Sequence, residues 1–101
     1  MKRTFSEIAK IYDKRDRLIS VGNRNSAALK THPLVVNCHK AVGTIGSYRI
    51  CAGFDALIKM KSMSQGRRIV IKRTYSDGEV RLVKPSKALE YALKKYTKIA
   101  C

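Results

Sequence analysis

Residues 68–83 read Arg-Ile-Val-Ile-Lys-Arg-Thr-Tyr-Ser-Asp-Gly-Glu-Val-Arg-Leu-Val, which is the clearest structural signal in the chain. Two runs rich in β-branched residues flank Asp77-Gly78, a dipeptide typical of a two-residue type I′ turn. The sequence therefore predicts a β-hairpin over about 67–83. With Asp77-Gly78 as the loop, Tyr75 faces Val80 and Arg73 faces Leu82. A three-residue loop would mix the apolar and polar faces more thoroughly, which favours the two-residue loop.

In that register, one face of the hairpin is apolar and the other is polar and basic. The polar face carries Lys72, Thr74 and Arg81. Arg73 falls on the apolar face, so its guanidinium must reach an edge of the sheet or find a partner. The apolar face gathers Ile69, Ile71, Tyr75, Val80 and Leu82.

Helical patterns stand at both ends of the chain. After Pro85 and a Ser86 cap, apolar residues recur at i, i+3, i+4, i+7 and i+10 from Leu89, which predicts a C-terminal helix over about 86–99. Thr4 and Glu7 have the spacing of a capping box, and the apolar residues after them predict an N-terminal helix over about 5–20. Gly22 is then expected to end that helix in a left-handed conformation.

The middle of the chain allows more than one interpretation. Residues 22–33 are expected to form a loop and 34–38 a short strand. Residues 47–52 then form a strand, with Asp55 capping a helix over about 56–64; the alternative is one helix over 47–63. A helix-turn-helix within 41–54 is a further alternative. The predicted architecture is a small α+β fold in a single domain, 1–101, with the N-terminal helix, short middle strands, the hairpin and the C-terminal helix.

The charge of the chain points to a polyanionic partner. Twenty-two Lys and Arg against seven Asp and Glu give a formal net charge of +15 over 101 residues. Residues 56–101 hold twelve of the basic residues and three of the acidic ones, so the C-terminal half is expected to dominate the binding surface. Such a charge on a small folded domain favours DNA or RNA as the partner.

The hairpin is the leading candidate for that surface, because a basic two-stranded ribbon fits the DNA major groove or follows phosphates. Cations elsewhere in the chain, on the loop after Gly22 and in the middle, are expected to add to it. The predicted nucleic-acid-binding residues are Arg67, Arg68, Lys72, Arg73, Arg81, Lys84, Arg24 and Arg49.

The sequence gives little support for a metal-binding or catalytic site. His32, Cys38, His39 and Cys51 do not have the spacing of common zinc sites, and no metal or cofactor is expected. No catalytic motif stands out. Three cysteines cannot all pair within one chain, and neither a signal peptide nor an 18-residue apolar run is present, so a reducing, cytoplasmic location and no membrane partner are expected.

The sequence thus predicts a non-enzymatic nucleic-acid-binding protein, in a transcriptional, nucleoid or ribosome-associated role, that contacts DNA or structured RNA mainly through phosphates. Two alternatives remain open. One is a small toxin-like ribonuclease acting on messenger RNA through residues such as Arg73, Tyr75 and Arg81. The other is a cationic effector that docks on an acidic protein and inhibits a nucleic-acid enzyme.

Overall fold

Two strands of eight residues lie side by side at the centre of the structure, β1 (Phe5–Tyr12) and β3 (Arg68–Tyr75). In the computed structural model they pair antiparallel along their whole length, from Phe5 opposite Tyr75 to Tyr12 opposite Arg68. Two shorter strands complete a four-stranded antiparallel sheet, in which β2 (Leu18–Asn23) flanks β1 and β4 (Val80–Val83) flanks β3. The structure describes residues 4–23, 33–43 and 52–99.

Helices cover one face of this sheet. One helix packs across β1 and β2, and the other two pack against each other. Along β1, Glu7, Ala9 and Ile11 are buried while the residues between them are exposed, which is the alternation of a strand with one covered face. The predicted α+β class is confirmed. The helices are α1 (Pro33–Val42), α2 (Ala52–Lys59) and α3 (Lys87–Tyr96), and a 3-10 turn at Met63–Gln65 precedes β3.

The predicted N-terminal helix over 5–20 is wrong, because these residues form the β1–β2 hairpin. The apolar pattern is misleading since Ile8 lies on the exposed face and the charged Glu7 on the buried one. Thr4 and Glu7 therefore do not form a capping box. Asp13 and Arg17, four residues apart, pair at 3.1 Å within the turn between the strands.

The strand predicted over 34–38 is also wrong, because these residues belong to α1. Pro33 occupies the first helical turn, where its missing N–H is no loss. Val35, Cys38 and His39 are buried, a spacing that fits one helical face although the local run of Leu and Val resembles a strand.

The predicted middle segment agrees with the structure only in part. The helix expected over 56–64 begins earlier and ends earlier, as α2 at Ala52–Lys59, so Asp55 lies inside the helix rather than at its cap. Gly53 lies within this helix and Leu89 of α3 packs closely on it, since a Cβ there would be 2.2 Å from Leu89 Cδ2. The strand expected over 47–52 is wrong at Ala52, which is helical. The other residues of that strand, and the middle of the alternative helix-turn-helix within 41–54, lie outside the described residues.

The hairpin at 68–83 is confirmed, but its predicted register is wrong by one residue. Thr74 lies opposite Val80 and Arg73 opposite Arg81. The loop is Ser76-Asp77-Gly78, with Gly78 at φ 90°, as in three-residue loops that end in a left-handed residue. Because side chains alternate along a strand, the shift exchanges the two faces of β4. Leu82 therefore points to the uncovered face, and Arg81 joins Arg73 on the other.

The C-terminal helix is confirmed, with a shorter extent than predicted. Ser86 caps α3 by accepting a hydrogen bond from Leu89 N at 3.3 Å. The helix ends at Tyr96, after which Thr97 Oγ1 donates to the carbonyl of Leu93 at 2.6 Å. Beyond the helix, Ile99 is still buried and reaches Gly66.

The core lies between the sheet and the helices. Its largest fully buried side chains are Phe54, Ile11, Leu57, Leu89, Leu93, Val35 and Cys38. None of the helices in the described part of the chain has the length and hydropathy needed to cross a bilayer.

Gly22 does not end a helix; it lies in β2 opposite Ala9, where α2 approaches the strand closely. A Cβ on Gly22 would stand 2.2 Å from the carbonyl oxygen of Ala52 and 2.3 Å from the amide nitrogen of Ala56. Both are backbone atoms, so neither can move without shifting the helix. The nearby hydrogen bond from Ser20 Oγ to the carbonyl of Ala56, 2.6 Å long, depends on the same close contact.

We therefore expect Gly22→Ala to lower the free energy of unfolding by about 1–3 kcal/mol, the range typical of overpacking. Denaturant unfolding followed by circular dichroism would measure the change. Asn23→Ala is the matched control, since Asn23 is exposed and its contact with Asp55 is made by its backbone N–H, 2.8 Å from Oδ2. A G22A protein as stable as the N23A protein would contradict this account.

Candidate nucleic-acid interface

The predicted nucleic-acid-binding residues do not share one surface. Because residues alternate along β3, Arg68 and Lys72 lie on the uncovered face of the sheet and Arg73 on the helix side. Arg67 lies at neither place but in a cleft beside the β1–β2 turn. Lys84 is exposed just after β4, and Arg24 and Arg49 lie outside the described residues.

Arg73 and Arg81 are both held by contacts within the protein. The Arg73 guanidinium lies 4.5 Å from the centre of the Phe5 ring, and its Nε is 3.7 Å from the buried Glu7 carboxylate. From the sequence, Arg73 on the apolar face is expected to need a partner, and the Glu7 carboxylate is that partner. Arg81 Nε donates to Glu79 Oε1 at 2.6 Å. Both arginines therefore stabilise the end of the sheet near the β3–β4 loop.

Arg68 joins three elements of the structure at the opposite end of the sheet. Its guanidinium lies 4.2 Å from the centre of the Tyr12 ring. Its Nη2 donates to Asp16 Oδ1 at 2.6 Å, which ties β3 to the β1–β2 turn. These contacts hold the start of β3 against the β1–β2 turn, beside the cleft described next.

A cleft of about 790 Å³, which we call the basic cleft, lies beside the β1–β2 turn. Its walls come from the β1–β2 turn, the 3-10 turn before β3 and the segment after α3. Five cations line it against a single carboxylate, that of Asp13. The cations are Lys14, Arg15, Arg17, Arg67 and Lys98.

Asp13 organises the turn that carries three of these cations. Its Oδ1 accepts hydrogen bonds from the backbone N–H groups of Arg15 and Arg17, both at 2.9 Å, and its Oδ2 accepts one from Arg17 Nε at 3.1 Å. Asp16 adopts φ 62°, the left-handed conformation that Asp tolerates better than most residues. The one carboxylate of the cleft is thus already bound within the turn.

These hydrogen bonds also set the acidity of Asp13. The backbone N–H of Arg17 has the largest effect and lowers the pKa of the Asp13 carboxyl. Desolvation opposes it, but the N–H of Arg15 and the Arg17 guanidinium add to the lowering, so the pKa stays below its ordinary value. The carboxylate form is therefore the form that keeps the turn in shape.

Arg67 and Lys98 are placed by tertiary contacts. The Arg67 N–H donates to the carbonyl of Tyr12 at 2.8 Å, and its guanidinium Nη1 donates to the carbonyls of Ser64 and Gly66. Gly66 lies against Ile99, whose packing draws the segment after α3 to the cleft and brings Lys98 with it.

A second hollow of about 330 Å³ extends the basic cleft toward α2. The two share Ile19 and Gln65, and the second adds Lys59 and Lys61. Lys59 pairs with the buried Asp55 at 2.8 Å. We call the five cleft cations together with Lys59 and Lys61 the basic end.

The chemistry of the basic end is that of anion binding. Guanidinium groups donate paired hydrogen bonds to phosphate oxygens, and ammonium groups neutralise phosphate charge. No histidine or cysteine lines the basic cleft. Burial raises the pKa of the Cys38 thiol and lowers the pKa of His39, but both belong to α1. Among the described residues, no three His, Cys, Asp or Glu side chains come together as a metal site.

Sequence reasoning missed most of this site. The predicted helix over 5–20 would spread Lys14, Arg15 and Arg17 over a helical surface, and the predicted helix over 86–99 would include Lys98. One signal was available: Asp13 precedes Arg15 by two residues, which is the spacing of an Asx turn. The sequence does not show that Lys98 joins these residues, because the position of Lys98 depends on the contact between Ile99 and Gly66.

The Asp13 hydrogen bonds predict a titration at low pH. A folded-state pKa below the unfolded value means that Asp13 stabilises the turn above the unfolded pKa, and that this is lost as pH falls through the folded pKa. We expect the amide protons of Arg15 and Arg17 to shift together in NMR spectra, with a midpoint below about 3.9, the ordinary value for Asp. Asp13→Asn, which keeps a side-chain acceptor, should abolish the shift. A midpoint at or above the ordinary value would contradict the hydrogen-bond geometry.

Comparison with known protein families, with curated proteins and with solved structures finds no match to this chain. The functional assignment therefore depends on the geometry and charge of the site itself.

Proposed function

We propose that this chain binds DNA or structured RNA without cleaving it, through phosphate contacts made by the basic end. The observation that carries the proposal is the basic cleft, where five cations from three chain segments face one carboxylate that is already bound within its own turn. A concave cationic surface of this kind concentrates positive potential, so it attracts a phosphate backbone more strongly than scattered surface lysines do. A reducing, cytoplasmic setting is part of the proposal.

Backbone contact is favoured over the stacking of bases. Proteins that bind single strands place several aromatic rings among their cations. In the described part of the basic end no aromatic ring lines the cleft, and the neighbouring Tyr12 ring already has the Arg68 guanidinium over it. The partner is therefore a regular phosphate backbone, as in duplex DNA or folded RNA.

The residues assigned to this function change accordingly. Arg67 keeps the role predicted from the sequence, and Lys14, Arg15, Arg17 and Lys98 join it. Arg73 and Arg81 are assigned to stabilising the sheet, because they lie outside the basic cleft, near the β3–β4 loop, and each is paired with a carboxylate there. The same contacts leave no specific support for a ribonuclease site at these two arginines. The contributions of Arg68, Lys72, Lys84, Arg24 and Arg49 stay predictions.

The proposal has a quantitative consequence for salt dependence. If each of the five cleft cations neutralises one phosphate of duplex DNA, the slope of log K against log salt is about −4.5, from about −0.9 per contact. With Lys59 and Lys61 included, it approaches about −6. Fluorescence anisotropy with a short labelled duplex, between about 50 mM and about 200 mM salt, covers the useful range.

We expect Lys14→Ala/Arg15→Ala to weaken binding to duplex DNA and to an RNA hairpin, and to make the salt slope shallower by about two, one for each lost contact. These two side chains are exposed, and the turn is held by their neighbours and by backbone groups, so folding should be unaffected. Lys40→Ala/Lys87→Ala is the matched control, since it removes the same charge from exposed helical positions that do not line the cleft.

Two results would count against the proposal. If the wild-type protein bound neither nucleic acid at low salt, the function itself would be excluded. If both double variants changed the slope equally, binding would depend on total charge and the basic cleft would not be the site.

A further inference from the structure

The face of the sheet opposite the helices, which we call the open face, carries a group of exposed apolar side chains. Ile8, Val21, Val80 and Leu82 all point to this side, and they are four of the six large apolar side chains that are exposed in the described residues. Leu82 is 76% exposed. Apolar side chains grouped on one face in this way mark an interaction site more often than isolated ones do.

The same face carries cations and no acids. In the described strands, none of the residues on this side is Asp or Glu. At its centre Lys10 lies opposite Val70, and Lys72 opposite Ile8, so the two lysines are diagonal neighbours across β1 and β3. Among the described residues, neither lysine has an ion-pair partner within 4.0 Å.

A shallow groove of about 220 Å³ runs between these two strands, with both lysines and both aliphatic residues in its walls. A side-chain carboxylate placed over the groove would lie between two ammonium groups, since diagonal neighbours on adjacent strands are about 7–8 Å apart. An apolar side chain next to it would contact Ile8, Val70 or Leu82. The open face therefore fits a surface that combines carboxylates with apolar groups.

Two other occupants fit less well. A second copy of the chain would bring no carboxylate from its own open face to meet Lys10 and Lys72. A single-stranded nucleic acid would find no free aromatic platform, because Tyr12 is the one ring among the described residues of this face and Arg68 lies over it. Phosphates would meet the lysines but leave Val80 and Leu82 exposed to water.

We propose that the open face docks a protein partner that presents carboxylate side chains among aliphatic or aromatic ones. The carboxylates pair with Lys10 and Lys72, and the apolar groups cover Ile8, Val70 and Leu82. This interaction uses a different face from the basic end, so the protein can hold an acidic partner while its phosphate-binding cleft stays accessible.

NMR titration of the full-length, methyl-labelled protein tests the proposal with three synthetic peptides of equal length. One is an amphipathic peptide of Leu and Glu, the second has Lys in place of every Glu, and the third has Ser in place of every Leu. We expect the Leu/Glu peptide to shift the methyl signals of Ile8, Val70 and Leu82, and the other two to bind at least about tenfold more weakly.

Variants separate this face from the basic end. Lys10→Glu/Lys72→Glu and Leu82→Ser should each weaken binding of the Leu/Glu peptide by about tenfold, whereas Lys40→Glu/Lys87→Glu and Lys14→Ala/Arg15→Ala should leave it unchanged. Binding of duplex DNA should depend on Lys14 and Arg15 and be insensitive to Leu82→Ser. The two proposals can therefore fail separately.

Three outcomes would overturn the proposal. The first is that the Leu/Glu peptide leaves the open-face methyl signals unchanged. The second is that an oligonucleotide shifts those signals and Lys10→Glu/Lys72→Glu abolishes its binding, which would make the face part of the nucleic-acid surface. The third is that the signals shift on dilution of the protein alone as a dimer dissociates, which would identify a second copy as the occupant.

Discussion

The antiparallel ladder between β1 and β3 is the contact on which the other features of this structure depend. It joins segments far apart in the sequence and pairs them over eight residues each. The ladder continues into the hydrogen bond from Arg67 N–H to the carbonyl of Tyr12, which brings the β1–β2 turn beside the start of β3. The basic cleft exists because of that juxtaposition. The same register places Ala9 and Ile71 in the core and Lys10 and Lys72 on the open face.

The few acids of the chain explain why the positive charge is not neutralised where it matters. Glu7 and Asp55 are buried and serve Arg73 and Lys59. Asp13 is bound within its own turn, and Asp16 holds Arg68. The acids therefore stabilise the fold locally. Among the described residues of these two surfaces, the cations that have no ion-pair partner are Lys14, Arg15, Arg67 and Lys98 of the cleft and Lys10 and Lys72 of the open face. Mainly polar groups surround the cations of the cleft, whereas aliphatic groups lie beside those of the open face.

Local patterns were sufficient for part of the fold and insufficient for the site. The α+β class, the 68–83 hairpin and the C-terminal helix follow from short-range signals, namely β-branched runs around Asp77-Gly78 and a helical apolar stripe after Ser86. The N-terminal hairpin was not predictable in this way, since Glu7 is buried and Ile8 exposed, the reverse of the usual pattern. The register of β4 differs from the prediction because the loop includes Ser76 as well as Asp77 and Gly78. The basic cleft needed tertiary contacts, because its cations are brought together by strand pairing and by the packing of Ile99 on Gly66.

The contact of β2 with α2 bears on how this chain can diverge in evolution. Gly22 touches the backbone at Ala52 and Ala56, and Gly53 on the opposite side of the same helix touches Leu89. A bulkier residue at Gly22 would lift the helix from the sheet, and one at Gly53 would push it against α3. A sequence that diverges while keeping this packing is therefore expected to retain a glycine in the edge strand and a second one in the helix about thirty residues later.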